Sequence, residues 1–222
     1  MSERILALDA STYAASVAIL DGKTIVRERT VAMRDPRHER LMPAVADALG
    51  EGGLALIDRI VCGAGPGSFT SLRIAASIAK GLAVASGRPL FAVSSLALLI
   101  GGVEGGPPEG RWIAVLDAMR GESFTQAFDI RPGGEISEAS EVRVVRDEEV
   151  VAFARSMGAR TAGKGRDLEA APHARGIARL GAYRSLQAPV ELASWEPDYG
   201  RLAEAQVRWQ AVHGRVLDAR SR

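Results

Sequence analysis

Three short apolar runs open the chain. Residues 5–8, 15–20 and 24–29 predict strands, and the polar turns Asp9-Ala10-Ser11-Thr12 and Asp21-Gly22 between them make an antiparallel meander. Beyond Pro36 the period changes: Leu41, Val45 and Ala48-Leu49 recur at helical spacing, and Gly50, Gly52 and Gly53 close the segment. Residues 57–64 return to strand character. The loop Gly65-Pro66-Gly67-Ser68 leads into a predicted helix over 69–85, stopped by Gly87-Arg88-Pro89, and residues 90–93 predict another strand. Ala75, Ala76, Ala79, Ala83 and Ala85 leave little bulk on several faces of that helix, which suits close approach by a second one.

The glycine- and proline-rich stretch 101–108 is the sharpest change of composition, and it divides the chain into a first lobe, 1–101, and a smaller second lobe, 102–222. In the second lobe, residues 112–116, 123–130 and 142–145 predict strands. Asp147-Glu148-Glu149 then sits where acids favour a helix start, ahead of a helix over 150–157. The final helix is left free to pack back on the first lobe. The reading is a two-lobed α/β protein.

With 47% hydrophobic and 25% charged residues among 222, the chain can bury one large core or two modest ones. A net charge of +1 gives no general argument for wrapping nucleic acid. Arg160, Lys164, Arg166, Arg175, Arg179 and Arg184 gather beyond Arg155, and such a cluster reads as solvated surface. The single cysteine, Cys62, lies in an apolar run, which excludes a disulfide framework and predicts a packed thiol in a reducing compartment. No leader-like N-terminus and no apolar window of membrane-spanning length is visible, so a cytoplasmic protein is expected.

Two segments could carry chemistry. Leu8-Asp9-Ala10-Ser11-Thr12 sets an acid and two hydroxyls in a turn between strands, where amides and hydroxyls could meet phosphate; a plain β-turn uses the same residues. Gly65-Pro66-Gly67-Ser68-Phe69-Thr70 joins a strand to a helix and could cradle an anion, or could simply be a helix start capped by Ser68 or Thr70. It lacks the Gly-Lys-Ser/Thr ending of a Walker A loop and the flanking glycines of a nucleophile elbow. His38, His173 and His213 have no second metal ligand at helical spacing, so no metal site is predicted. In the second lobe, the turn Asp117-Ala118-Met119-Arg120-Gly121-Glu122 and the glycine loop Thr161-Ala162-Gly163-Lys164-Gly165 read equally well as plain turns.

Taken in order, these blocks resemble the TsaB family, also called YeaZ, of the bacterial machinery that makes threonylcarbamoyladenosine (t6A) at position 37 of tRNA. The likeness lies in Ile5-Leu6-Ala7-Leu8-Asp9-Ala10-Ser11-Thr12, Glu39-Arg40-Leu41-Met42-Pro43, Gly65-Pro66-Gly67-Ser68-Phe69-Thr70 with Leu72-Arg73-Ile74, Ala79-Lys80-Gly81-Leu82-Ala83, Val93-Ser94-Ser95-Leu96, Asp117-Ala118-Met119-Arg120-Gly121-Glu122 and Pro197-Asp198-Tyr199. The chain departs from the family pattern at Ser71, usually glycine, at Arg37-His38, and in the tail after Tyr199.

The resemblance implies an actin-like ATPase (ASKHA, ribonuclease H-like) fold with two lobes, each a mixed sheet flanked by helices. It implies a non-catalytic subunit that pairs with the transferase TsaD, works with TsaE, forms a homodimer when alone, and meets tRNA only through the complex. No cofactor is required of such a subunit, although ATP or ADP could sit at an interface of the assembly. Partner contacts are expected from Arg40, Leu41, Val45, Leu72, Arg73, Ala75, Ala76, Ala79 and Lys80 on the two first-lobe helices. The alternative is an ASKHA-type nucleotide hydrolase or kinase using Asp9, with Ser11 and Thr12 as candidate nucleotide-binding residues. A peptidase finds no nucleophile with an adjacent base.

Overall fold

A computed structural model describes residues 2–33, 39–180 and 186–200. Arg37-His38, Arg184, His213, the segment 201–204 and the final helix lie outside the described residues.

The chain runs β1 (Arg4–Asp9), β2 (Ala14–Asp21), β3 (Thr24–Ala32), α1 (Leu41–Leu49), β4 (Arg59–Gly63), α2 (Phe69–Ser86), β5 (Leu90–Val93), α3 (Ser95–Gly101), β6 (Gly110–Asp117), β7 (Glu122–Ile130), β8 (Ile136–Glu138), β9 (Arg143–Arg146), α4 (Val150–Ser156) and β10 (Arg160–Ala162), followed by a 3-10 helix, Ala174–Arg179. The first sheet has the order β3-β2-β1-β4-β5. Its hairpin strands β1, β2 and β3 pair antiparallel, and β4 and β5 add parallel to β1. The second sheet repeats the scheme. β6 pairs antiparallel with β7 and parallel with β10, and the place of the third strand is shared by β8 and β9 along β7. Two lobes with the same order of strands, hairpin first and crossover strand after, make this the actin-like (ASKHA) fold.

Both faces of the first sheet are covered, which is why β1 reads as an unbroken apolar run rather than an alternation. Leu6, Leu8, Ile60 and Cys62 face α1 and α2. Ile5, Ala7, Val61 and Val93 face the opposite way, into a core shared with α3, with Trp112, Leu116, Phe124 and Phe128 of the second sheet, and with Ile177. The lobes are thus joined by continuous apolar packing. On the far face of the second sheet, Val150 and Ala154 of α4 cover Ile113, Val115 and Ala127.

α3 is absent from the pattern reading because all seven of its residues are buried, so no polar face marks its period. Its start is nonetheless conventional, with the Ser94 hydroxyl accepting from the amides of Leu96 and Ala97. Ser68 behaves otherwise. Its side chain makes no capping bond to the first turn of α2 and donates instead to the buried Ser71 hydroxyl at 3.1 Å, which corrects the expected cap and gives Ser71 a structural use.

Two of the cations read as solvated surface also belong to the joint between lobes. Arg179 donates to the carbonyls of Gly101 (2.8 Å) and Val103 (3.0 Å), satisfying groups left open beyond α3. Arg175 pairs with Glu28 of β3 at 3.2 Å. Beside it, half-buried His173 accepts from the Arg175 amide through Nδ1 at 3.1 Å, and its pKa is pushed from 6.5 down to about 4, first by burial and then by the Arg175 guanidinium. Between those two values the unfolded chain binds a proton that the folded chain refuses, so stability is lost as pH falls from 6.5 towards 4. We expect His173→Gln to flatten that limb in thermal unfolding followed against pH, with a difference on the order of 1 kcal/mol after allowance for solvent screening.

Candidate functional site: a sealed turn and an open helical face

The turn after β1 is held by its own neighbours. Asp9 is wholly buried. Its Oδ1 accepts from the Ser11 amide (3.0 Å) and hydroxyl (2.8 Å), and its Oδ2 accepts from the Ser95 hydroxyl (2.6 Å). Ser95 Oγ in turn accepts from the Gly65 amide at 3.1 Å, and the Ser68 amide donates to the Ser11 carbonyl at 2.7 Å. The glycines of the loop serve this closure. A Cβ on Gly63 would overlap the Asp9 carboxylate, and one on Gly67 would overlap the Ser11 carbonyl. Burial raises the Asp9 pKa from its ordinary value against the opposing bonds from Ser95 and Ser11.

The expected nucleotide contacts Asp9 and Ser11 are both buried, and in this structure Asp9 takes three hydrogen bonds from Ser11 and Ser95. Thr12 is spent locally, its hydroxyl donating to the Ala14 carbonyl and accepting from the Ala14 amide. The second-lobe loops are closed in the same manner. Asp117 takes the Met119 amide at 2.6 Å, Asp167 takes the amide and hydroxyl of Thr161, and Glu169 takes the Gly165 amide at 2.7 Å. Burial, and then the neighbouring Asp9 charge, push the Cys62 thiol above its usual range, so it is a poor nucleophile. Among the described residues, no three His, Cys, Asp or Glu side chains come together as metal ligands, and no helix is long and apolar enough to cross a membrane.

The open feature is the outer face of α2. Thr70, Arg73, Ser77, Gly81 and Val84 recur every three or four residues and are exposed, Val84 by 71%. Phe69 (39%) and Met42 of α1 (38%) add exposed apolar side chains beside them. A groove of about 480 Å³ runs along it, lined by Glu39, Phe69, Arg73, Ser77 and Ile78 among others. Glu39 also accepts from the Leu41 and Met42 amides, so it fixes the start of α1 at the edge of this groove.

The predicted partner residues divide between the two sides of these helices. Arg40 and Arg73 are exposed, and half-buried Lys80 lies 5.7 Å from the Trp195 ring. Leu41, Val45, Ala75 and Ala79 point the other way, into the core beneath the helices, and Leu72 and Ala76 are buried as well, all six with at most 5% exposure. A side chain buried within its own lobe is withheld from a partner, so these six are corrected to buried residues. The small residues on the open side are Ser77 and Gly81, one helical turn apart, and a Cβ on Gly81 would meet nothing. The sequence concealed this because apolar and small residues occupy both sides of α2; exposed Arg73 was the one marker of the outward stripe.

A family model described as "TsaD: tRNA N6-adenosine threonylcarbamoyltransferase" matches residues 32–183. A Pseudomonas aeruginosa protein described as similar to peptidase YEAZ superposes with a TM-score of 0.75 at 30% identity, over 90% of this chain and all of that one. The chain belongs to the TsaB/YeaZ family. YeaZ from the same organism gives a TM-score of 0.73 at 29% identity over 89% and 99% of the two chains. TsaB from Escherichia coli, described as a tRNA threonylcarbamoyladenosine biosynthesis protein, is 34% identical over 150 residues, 67% of this chain and 64% of its own. Its Bacillus subtilis namesake is 35% identical over 131 residues, 58% and 56%. The chain thus matches about three-fifths of the length of these TsaB relatives.

Proposed function

We propose that this chain is a non-catalytic subunit of the t6A-forming assembly, binding a TsaD-type transferase through the outer face of α2 and, with TsaE, supporting threonylcarbamoyl transfer to adenosine 37 of tRNA. The observation that carries this reading is the contrast between the two candidate regions. Asp9 and its turn are filled by the chain's own hydrogen bonds, whereas α2 leaves an exposed stripe with the small residues Ser77 and Gly81 at its centre, where a second helix can approach closely. The same stripe serves a homodimer when the transferase is absent. Any ATP or ADP belongs at an interface of the assembly, where a partner supplies groups that this chain has committed elsewhere. tRNA is met through the complex.

Mixing the chain with a TsaD-type subunit and measuring the mass of the product by light scattering tests the pairing; two separate species at micromolar concentrations would sink it. Titration calorimetry with ATP and magnesium addresses the nucleotide hydrolase reading. We expect no saturable heat from the isolated chain. Tight binding abolished in Thr12→Ala, which leaves the Asp9 network intact, would favour the hydrolase.

A further inference from the structure

The last described stretch of the chain returns across the first lobe as a strap. The Val190 amide donates to the Leu90 carbonyl at 2.8 Å, and Trp195 packs against the core beneath α1 and α2. The Asp198 amide donates to the Ala64 carbonyl at 2.7 Å, while the Asp198 carbonyl lies so close to Gly65 that any side chain there would collide with it. Gly200 lies against Phe124 of β7 and Pro66, so the strap is pinned to both lobes. Tyr199 sits between these anchors. Its ring centroid is 4.5 Å from that of Phe69, the planes tilted by 48°, and the Arg73 guanidinium lies 5.1 Å from the same Phe69 ring. Phe69 and Arg73 both line the groove on the open face of α2.

We propose that Tyr199 is a positioning residue for the partner face: its ring fixes Phe69, and through Phe69 it fixes Arg73, before any partner arrives. The proposal rests on the partner-binding reading above and adds a residue from outside the two helices. Phe69 stands on the first turn of α2 and is exposed by 39%, so its rotamer is not imposed by the core. An aromatic neighbour anchored by the backbone on either side supplies that constraint, and a side chain already ordered loses less freedom when it is buried by a partner. The contact is made by the ring, so phenylalanine at position 199 should serve as well.

The test uses the full chain as wild type, Tyr199→Ala, Tyr199→Phe, Phe69→Ala and the Tyr199→Ala/Phe69→Ala double variant, with thermal unfolding of each as a control for folding. Binding to a purified TsaD-type subunit is measured by calorimetry. Tyr199→Ala should weaken it roughly five- to tenfold, and Tyr199→Phe by less than about twofold. The double variant should bind no more weakly than Phe69→Ala alone, because a residue that acts through Phe69 has nothing left to do once Phe69 is gone. In the free chain, the ¹⁵N order parameter of the Arg73 side chain should fall in Tyr199→Ala and be restored in Tyr199→Phe. A wild-type chain that fails to bind removes the partner reading itself. Wild-type binding with Tyr199→Ala equally tight, additive losses in the double variant, or an unchanged Arg73 order parameter each overturn the positioning role alone.

Discussion

Arginine at position 77 should leave the protein folded and abolish its pairing, whereas arginine at position 79 should unfold the first lobe. The two positions are neighbours on one helix, and the contrast follows from which way each points. Ala79 has no exposed surface and lies among Leu41, Val45 and Leu82 beneath the helix layer. A guanidinium there is both overpacked and unpaired, at a cost on the order of 4 kcal/mol or more. That approaches the lower end of a typical stability of about 5–15 kcal/mol. Ser77 is exposed, so Ser77→Arg should change stability by no more than about 0.5 kcal/mol. It places bulk and charge where helices must approach closely, and we expect pairing with a TsaD-type subunit to weaken at least about 100-fold, roughly 3 kcal/mol. Circular dichroism melts with calorimetry on the two variants check both halves. A folded Ala79→Arg chain would show that α2 is rotated from the position described.

The second large effect is at Asp9. Asp9→Ala removes the acceptor for three donors, from the Ser11 amide, the Ser11 hydroxyl and the Ser95 hydroxyl, and opens a void beside Gly63. A loss of about 2–4 kcal/mol is expected. For a chain of this size that lowers Tm by roughly 5–15 °C. Since the folded Asp9 pKa is raised, the folded chain holds a proton that the unfolded chain has already released above 3.8. Its contribution to stability is therefore greatest where the carboxyl is protonated, and it declines as pH rises from 3.8 through the folded pKa. Asp9→Asn should remove that decline, and unfolding followed from pH 4 upwards compares the two chains directly. The same slope in Asp9→Asn as in wild type would mean that another group carries it.

Much of the architecture is legible in the sequence because its elements carry one clear period each. The opening meander, α1, α2 and the second-lobe strands β6, β7 and β9 are marked by alternation or helical spacing and punctuated by Gly and Pro. The three-residue strands β8 and β10 escaped the pattern because they are too short to show a period, and the rest of what escaped lies between the lobes. α3 has no polar side to reveal it, and Arg175 and Arg179 look like solvent-facing cations until the 3-10 helix carries them to β3 and to the end of α3. The site was legible as a location and not as a direction. The residues at the Asp9 turn and on α1 and α2 were picked out, but a turn of acid and hydroxyls reads the same whether it faces a ligand or its own fold. On α2, alanines below and serine and glycine above are equally small. Only the placement of the sheet says which are spent on the core.

We propose that this chain, with its Asp9 turn closed and its α2 face open, enables a reaction that it does not perform. Mass-spectrometric quantification of t6A on unmodified tRNA, supplied with the threonylcarbamoyl donor and ATP, measures that statement most directly. We predict product when this chain, a TsaD-type subunit and TsaE are all present, and none from this chain alone or when it is left out. Product made by the isolated chain, or undiminished product in its absence, would contradict the account.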